Sequence, residues 1–323
     1  MNEWNETVQA MIDWIEENPT ENSILIPMSK SIGYSPYYCS AQFHRVVGIT
    51  IKAYSAGRRL TKAAIDIRDT KERIIDIALK YGFSSQGSLT RAFSDAYGCT
   101  PSAYRKNPQP IVFLNRKNVL YPCNYISKGD KIMKQFCLKA PKIRVEYIPE
   151  HSYIGIWDDK SVGFGDFWQR HNCDEVCGII ESMRNVSNPV VSCHMAGWHY
   201  INGERRYFYG LGVSSDYDGE IPNGFEMKKF PGSYYLVFFH PTYDYLSNND
   251  EIMNKVEKLA WGYNIQKLGL KDITLDVNDC DNLYEWNEEE CQCYQRHYPE
   301  VLGYEILRPI KKCDPAVKNS ENK

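Results

Sequence analysis

Residues 82–105 read GFSSQGSLTRAFSDAYGCTPSAYR, and this stretch decides the fold of the N-terminal third of the chain. It predicts a turn at Gly82, then a helix over residues 85–97 that is closed at Gly98, where glycine is favoured just after a helix ends. Apolar residues at helical spacing over residues 74–78 predict another helix before the turn. Helix, tight turn and helix in this order are typical of a helix-turn-helix unit.

The same pattern occurs about fifty residues earlier in the chain. Gly33 supplies a left-handed turn position, Ser35 an N-cap and Pro36 a residue suited to the first turn of a helix that runs to about residue 47. In both copies a threonine stands two residues after the closing glycine. The two copies therefore form an internal repeat.

A predicted helix over residues 51–68 connects the two copies, with Leu60, Ala63, Ala64 and Ile67 on one face. A helix of this length spans about 27 Å at ~1.5 Å per residue. Two recognition helices on one face of DNA must lie about 34 Å apart, one turn of the duplex. Such a connecting helix can hold two readers in adjacent grooves without a dimer.

The charge of the chain is unevenly distributed, although the net charge is only −3. Residues 22–107 contain 13 Lys or Arg and 5 Asp or Glu, a local net charge of +8, whereas residues 1–21 contain 6 acids and no bases. A basic segment within an otherwise acidic chain indicates that this segment alone contacts phosphate. The distribution favours a nucleic-acid partner for the N-terminal third.

About 100 residues of the N-terminal third resemble the AraC family of transcription regulators. The second copy carries nearly the whole family signature, at Ile77-Ala78, Gly82-Phe83, Ser88-Leu89, Arg91-Ala92-Phe93, Gly98, Thr100-Pro101 and Tyr104-Arg105. The first copy matches at Gly33-Tyr34-Ser35, Phe43, Gly48, Arg59-Leu60 and Ala63. The resemblance implies two helix-turn-helix units, double-stranded DNA as the partner, and RNA polymerase as a further candidate partner.

By position in the motif, the base-reading residues of the family fall on Tyr37, Ser40 and Ala41 in the first copy and on Gln86, Gly87, Ser88, Thr90 and Arg91 in the second. The first copy departs from the family pattern, because relatives usually carry long polar side chains where Ser40 and Ala41 stand. Gln86 and Arg91 keep long donors that suit adenine and guanine edges or phosphate. We therefore expect the second copy to provide specificity and the first mainly to position the protein.

The chain beyond residue 107 divides into three further segments. Prolines and glycine without clear periodicity over residues 108–135 predict a linker. A strand-rich domain follows over residues 136–312, and residues 313–323 form a C-terminal tail. The DNA-binding domain is accordingly predicted at residues 1–107.

Residues 136–312 contain one succession of elements twice. Pro149 and Pro231 each mark a turn between two predicted strands, and each strand pair precedes a helix, at residues 163–183 and 250–263. Further strands follow each helix. The predicted fold class is an all-α double helix-turn-helix domain followed by an α+β domain, in which a duplicated strand–strand–helix–strand unit forms an antiparallel sheet with helices on one face.

This architecture and the closing run YPEVLGYE at residues 298–305 resemble the GyrI-like small-molecule-binding domains. The resemblance implies an aromatic-lined cleft between the two copies that binds a small-molecule effector. The candidate ligand-binding residues are Trp157, Trp168, Tyr209, Glu226, Trp261 and Gln295. Gln295 falls where cation-binding relatives carry a buried glutamate, so its neutral amide counts against a strictly cationic ligand, unless Glu226 or Glu285 substitutes.

The leading interpretation is a DNA-binding regulator that responds to a small molecule, and not an enzyme. No catalytic triad, phosphate loop, metal-ligand motif or cofactor motif stands out, so we predict no cofactor and no metal. Two alternatives stay open for the C-terminal domain, namely a small-molecule hydrolase that uses a pocket carboxylate and a protein-interaction or dimerisation module. No apolar run suits a membrane span and the N-terminus does not resemble a signal peptide, so a cytoplasmic protein is expected.

Overall fold

The computed structural model describes residues 3–21, 23–120, 140–188, 191, 193–265, 284–299 and 302–313. The chain divides into two compact units, of which unit 1 comprises Met1–Tyr125 with His171–Asn185 and unit 2 comprises Ile126–Arg170 with Val186–Lys323. Unit 1 is helical and unit 2 is built on an antiparallel sheet. This agrees with the predicted order of a helical domain followed by a domain with an antiparallel sheet. None of the helices in these ranges combines the length and hydrophobicity needed to cross a bilayer.

Unit 1 contains the helices α1 (Glu3–Glu17), α2 (Leu25–Ile32), α3 (Pro36–Val47), α4 (Ile51–Asp69), α5 (Ile74–Lys80), α6 (Gln86–Tyr97), α7 (Pro101–Lys106) and α9 (Cys173–Ser182). Local signals set their ends. The side chains of Ser35 and Ser85 each accept a hydrogen bond from the backbone N–H three residues on and so cap α3 and α6. Gly33 and Gly98 close α2 and α6 at φ values of 84° and 71°, which favour glycine.

Helix α4 takes part in both apolar cores of unit 1. The first core packs α1, α2 and α3 against the beginning of α4, and it contains Val8, Met11, Ile12, Ile15, Ile24, Met28, Cys39, Phe43, Ile51 and Tyr54. The second packs α5, α6 and α7 against the end of α4, and it contains Leu60, Ala63, Ala64, Ile67, Ile77, Ala78, Leu89, Phe93, Tyr104, Ile111 and Phe113. The 19-residue helix therefore fixes the distance between two separately packed helix-turn-helix units, at about 28 Å for ~1.5 Å per residue.

Residues 108–120 are packed structure and not the linker that their composition predicted. Ile111 and Phe113, at 6% and 1% exposure, lie in the second core of unit 1. The prolines that suggested a connector only keep this segment extended, while its alternate apolar side chains are buried. The remainder of the predicted linker and the predicted tail beyond residue 313 lie outside the described residues.

The helix predicted over residues 163–183 is two helices, α8 (Phe164–Arg170) and α9 (Cys173–Ser182). Asn172 causes the break, because its side chain accepts hydrogen bonds from the backbone N–H groups of Asp174 and Glu175 and starts a new helix. The two helices belong to different units, since the chain leaves unit 2 after Arg170 and returns to it at Val186.

Unit 2 contains α8, α10 (Tyr245–Gly262) and a nine-stranded sheet. The strands are β1 (Lys142–Ile148), β2 (His151–Trp157), β3 (Cys193–Ile201), β4 (Glu204–Val213), β5 (Glu226–Phe230), β6 (Ser233–His240), β7 (Tyr284–Trp286), β8 (Cys293–Tyr298) and β9 (Gly303–Lys312). Their order is β1-β6-β9-β8-β3-β4-β2-β5, with β7 beside β9, and every pair is antiparallel.

Both faces of the sheet are buried, with different partners. In β4, Tyr207 contacts Phe167 of α8 on one face, whereas Phe208 points to the other face and packs against Tyr153 and Tyr294. Two short turns, at residues 149–150 and 231–232, let β1 and β2 pair with β6 and β5 as one kinked ribbon. The ribbon curves the sheet around the second face, which forms an apolar core of its own.

Half-buried His297 links α10 to β8 in its neutral form. Its Nε2 lies 2.9 Å from Oδ1 of Asn249 and 3.1 Å from the hydroxyl of Tyr243. Burial lowers the pKa of His297 to about 4. On acidification the imidazole therefore binds a proton in the unfolded chain at a higher pH than in the folded protein. The stability that neutral His297 contributes is complete above pH 6.5 and is lost as the pH falls towards 4.

We expect His297→Gln to weaken this acid dependence, because the amide can still donate to Asn249 but does not titrate. The pKa difference corresponds to about 3 kcal/mol at most. Thermal unfolding between pH 7 and pH 4 measures it, and the exposed His44→Gln is the matched control. If His297→Gln lost as much thermal stability between pH 7 and pH 4 as the parent does, the imidazole would be protonated without cost.

Candidate nucleic-acid interface and effector pocket

Helices α3 and α6 have nearly the same pattern of exposure when aligned fifty residues apart. Cys39 and Phe43 are buried in α3 at the positions where Leu89 and Phe93 are buried in α6. Each helix thus turns one face to its own core and leaves the opposite face exposed. Because the two cores are joined by one helix, the two exposed faces are a repeated feature of one rigidly packed unit.

The predicted readers occupy these faces unequally. Tyr37, at 84% exposure, and Ala41, Gln86, Gly87 and Arg91 are exposed, whereas Ser40, Ser88 and Thr90 are half-buried. The hydroxyl of Ser88 donates to the carbonyl of Ser85 and accepts from its backbone N–H, so this side chain completes a capping box. Ser88 thus has a structural function that its place in the motif did not reveal.

Sequence reasoning missed three charged or titratable groups on the exposed parts of these elements. His44 and Arg45 lie one turn beyond Ala41 on α3, and Lys52 lies on the first turn of α4, all exposed. Arg45 lies four residues after Ala41, and this helical spacing could have placed it on the same face in advance. In α6 the position equivalent to Arg45 is the exposed Asp95. The exposed faces of α3 and α6 therefore differ in charge as well as in the length of their side chains.

A nearly buried ion cluster holds α1 on α4. The guanidinium of Arg58 donates to both carboxylate oxygens of Glu16, at 2.5 Å and 3.0 Å, and Lys62 lies 3.0 Å from the same carboxylate. The side chains of Glu16 and Arg58 are 10% and 13% exposed. Burial alone would raise the pKa of Glu16, but the hydrogen bonds and charges of Arg58 and Lys62 outweigh it and hold that pKa below its ordinary value.

Residues 111–117 lie between α4 and α9, and glycines allow the close approach on both sides. A Cβ atom on Gly57 of α4 would come within 2.5 Å of the Leu114 side chain. A Cβ atom on Gly178 of α9 would come within 2.4 Å of the Phe113 carbonyl oxygen. On the α9 side the two backbones are in direct contact, and on the α4 side the Leu114 side chain packs onto the backbone at Gly57, so a larger side chain at either glycine would disturb the packing.

Hydrogen bonds reinforce this contact at both ends of α9. Arg68 of α4 donates to the carbonyl of Ser182 at 2.7 Å, and the Ser182 hydroxyl accepts from the backbone N–H of Ile111 at 3.0 Å. At the other end Lys117 pairs with Asp174. A cation at the C-terminus of a helix and an acid at its N-terminus both suit the helix dipole. Helix α9 is thereby bound to α4, the helix that connects the exposed faces of α3 and α6.

Unit 2 contains an open pocket of about 530 Å³ between α8, α10 and the sheet. It is lined by Val162, Gly163, Phe164, Trp198, Glu204, Arg205, Arg206, Met253, Glu257, Trp261 and Gln295. The rings of Trp198 and Trp261 meet edge to face with centroids 5.2 Å apart. An aromatic wall with a few polar groups is the usual composition of a small-molecule site. We call it the effector pocket, after the effector that the sequence resemblance implies for this domain.

A chain of hydrogen bonds runs from the sheet into the effector pocket. The Tyr207 hydroxyl donates to Oε1 of Gln295 at 2.6 Å, the Gln295 amide donates to the Tyr304 hydroxyl at 2.7 Å, and that hydroxyl donates to Glu257 at 2.8 Å. Burial raises the pKa of both tyrosines, which keeps them as donors. The carboxylate that this chain of hydrogen bonds reaches is Glu257 of α10, which sequence reasoning missed because only the fold brings α10 beside β8 and β9.

Of the six predicted ligand-binding residues, two line this pocket, Trp261 and Gln295. Tyr209 is fully buried and packs edge to face on Trp168 of α8 with ring centroids 4.8 Å apart. Trp157 is stacked on Phe208 at the other face of the sheet. Strand alternation places Trp157 on the face opposite the pocket, whereas Tyr209 lies on the same face as Tyr207 and is covered by α8.

The predicted carboxylates also lie elsewhere. Glu226 stands on strand β5 at the sheet edge with its side chain 71% exposed, and Glu285 is exposed on β7. The pocket thus combines two residues of the predicted set, Trp261 and Gln295, with Trp198, Arg205 and Glu257. In the described part of the chain no three His, Cys, Asp or Glu side chains are placed to hold a metal ion.

A helix-turn-helix domain model matches residues 28–107 of the chain. The Tn10 TetD protein of Escherichia coli is 42% identical over 100 residues, which are 31% of this chain and 72% of that protein. This similarity covers about a third of the chain.

Two other relatives match almost the whole chain. The right origin-binding protein of Escherichia coli K12 is 36% identical over 319 residues, which cover 95% of this chain and 96% of that protein. The transcriptional regulator Rob of Salmonella typhimurium is 24% identical over the same shares of both chains. The similarity therefore extends through unit 2 and the effector pocket as well as the two helix-turn-helix units.

Proposed function

The chain belongs to the AraC-type family of transcription regulators that includes the right origin-binding protein, and on this premise we propose that it is a ligand-responsive member of it. It binds duplex DNA through α3 and α6 and senses a small aromatic or amphipathic molecule through unit 2. The observation that carries the DNA-binding part is the pair of equivalent exposed faces joined by α4. A regulator of this kind acts on the chromosome in the cytoplasm, where RNA polymerase is a further partner.

The two faces support unequal contributions to DNA recognition. Arg91 of α6 is exposed and offers a bidentate donor for a guanine edge, whereas Ala41 at the equivalent position of α3 offers only a methyl group. Arg45 and Lys52 suit phosphate contacts that add affinity without sequence information. We infer that α6 sets the operator sequence and that α3 fixes the register of the protein on the duplex.

Arg91→Ala is expected to weaken operator binding by about 1–3 kcal/mol, the value of a lost bidentate base contact. Ala41→Ser should change it little. The measurement is fluorescence anisotropy on a duplex that the full chain itself selects from a randomised pool. Arg73→Ala removes another exposed arginine, outside both faces, and is the matched control. Parent-like binding by Arg91→Ala would contradict the assignment of α6 as the specific reader.

Effector sensing is supported by the effector pocket and by the order of elements in unit 2. Two strands precede α8 and two follow α9, while two precede α10 and three follow it, which fits the duplicated unit of a GyrI-like domain. The open, aromatic-lined pocket favours a small molecule over a purely protein-binding module. A binding function without catalysis fits the relatives, which are named as a transcriptional regulator and an origin-binding protein.

Helix α9 gives this proposal a route from the ligand to the DNA. Phe164, at the beginning of α8, lines the effector pocket, and only residues 171–172 separate α8 from α9. Helix α9 is in turn bound to α4, which sets the distance between α3 and α6. A ligand that binds one position of α8 more tightly than another would therefore change DNA affinity. The change in binding free energy can be no larger than the difference between the ligand's affinities for the two positions.

A further inference from the structure

One charged group in the wall of the effector pocket has unused hydrogen-bond donors. The guanidinium of Arg205 stacks on Trp261, 3.9 Å from the ring centroid. It makes no hydrogen bond and no ion pair with any residue that the structure describes. A half-buried guanidinium carries five N–H donors, and stacking on a ring satisfies none of them.

The other polar groups of the pocket are already engaged. Arg206 donates to the backbone carbonyl of Asp159 at 2.7 Å and pairs with Glu204. The indole N–H of Trp198 donates to the carbonyl of Val162 at 3.1 Å. Gln295 and Glu257 belong to the hydrogen-bonded chain of Tyr207 and Tyr304. Arg205 is thus the wall residue that has most to gain from a ligand.

The surroundings of Trp261 argue against a cation as that ligand. Arg205 lies over its ring, and the guanidinium carbon of Arg308 is 5.2 Å from the same centroid. A ligand cation that sought the face of this ring would have to displace or approach two like charges. Arg308 is ion-paired with Glu288 at 2.7 Å, so of these two cations Arg205 is the one that an anionic ligand can pair with.

We propose that the effector pocket binds a planar, largely apolar molecule that carries an acidic group, and that Arg205 pairs with this group. The fork of the guanidinium suits a carboxylate or sulfonate in bidentate geometry. The edges of Trp198 and Trp261 contact the planar part of the molecule. This proposal rests on the proposed function, because it names the class of effector for the same pocket.

Two dyes that differ by one acidic group test the proposal on the full chain. The first is 8-anilinonaphthalene-1-sulfonate and the second is N-phenyl-1-naphthylamine, the same ring system without the sulfonate. Both are titrated by fluorescence against the parent, Arg205→Gln and the surface control Arg184→Gln. We expect Arg205→Gln to weaken binding of the sulfonate about tenfold or more, as for a hydrogen bond to a charged group, and binding of the neutral dye less than twofold.

Melting curves of the variants check that each is folded. Binding of the neutral dye together with unchanged sulfonate affinity in Arg205→Gln would overturn the acidic-group subsite and leave the effector pocket standing. An equal loss for both dyes would overturn it too, because Arg205 would then only shape the pocket. Binding of neither dye to the parent would overturn the proposed effector function along with this inference.

Discussion

Gly178→Ala is expected to lower the free energy of unfolding of unit 1 by about 1–3 kcal/mol, the usual cost of overpacking. The added Cβ would lie 2.4 Å from the carbonyl oxygen and 3.1 Å from the backbone nitrogen of Phe113. Neither backbone atom can rotate away, so α9 must move off the segment. The hydrogen bond from the Phe113 N–H to the Gly178 carbonyl, 3.3 Å long, would then be lost.

Gly165→Ala in α8 is the matched control. A Cβ there meets nothing within 4 Å, and alanine favours a helix over glycine by roughly 1 kcal/mol. Helix propensity alone therefore predicts that both substitutions stabilise the protein. Close packing predicts instead that Gly178→Ala destabilises it and Gly165→Ala stabilises it. Thermal unfolding gives the signs, and hydrogen exchange of residues 111–117 locates the change.

If α9 transmits the state of the effector pocket to α4, Gly178→Ala should also alter DNA affinity in the full chain, while Gly165→Ala should not. Equal stability and equal exchange protection in both variants would contradict the packing of α9 on residues 111–117. Loss of stability with unchanged DNA affinity would keep the packing and contradict the route through α9.

Glu16→Gln is expected to cost about 3 kcal/mol of stability, because removing one partner leaves Arg58 nearly buried without its counter-charge. The amide can accept only part of the bidentate pairing that the carboxylate accepts now. Packing of α1 on α4 should loosen, and with it the support of α3. Urea unfolding of the full chain at pH 7 measures the change.

The pH dependence gives a second readout for the same group. Because the pKa of folded Glu16 is held below its ordinary value, its contribution is complete above the unfolded pKa and is lost as the pH falls through the folded one. Glu16→Gln should therefore lose less stability on acidification than the parent does. The neighbouring and exposed Glu17→Gln is the control, and equal effects of the two substitutions would show that the ion cluster adds nothing to stability.

The sequence determined the two helix-turn-helix units by itself, because their signals are local. The cap at Ser35 and the glycines at positions 33 and 98 act within one turn of backbone, and the structure has each where the pattern predicted it. Ser85, predicted as the first residue of its helix, is the N-cap that precedes it. The strand–turn–strand pairs around Pro149 and Pro231 were equally readable, since alternation is also a local pattern.

Contacts between distant segments were not readable in this way. The segment after residue 107 looked like a linker because its partners, Thr61 of α4 and Ser182 of α9, lie far away in the chain. A DNA-binding fragment that ends at residue 107 would lack Ile111 and Phe113 of the second core. Helix α9 could not be assigned to unit 1 from a sequence that places it between two elements of unit 2.

The effector pocket was decided by tertiary structure alone. Trp157 and Trp261 are equally aromatic in the sequence, but β2 turns the first to the inner core and α10 brings the second beside Trp198. Glu257 on α10 provides a carboxylate to the pocket, whereas residue 295 on β8 is a glutamine. Strand pairing brings Gln295 near Tyr304, and packing places α10 over both residues. Local patterns fix which elements form, whereas only the pairing of strands and the packing of helices over long sequence distances fix which side chains meet.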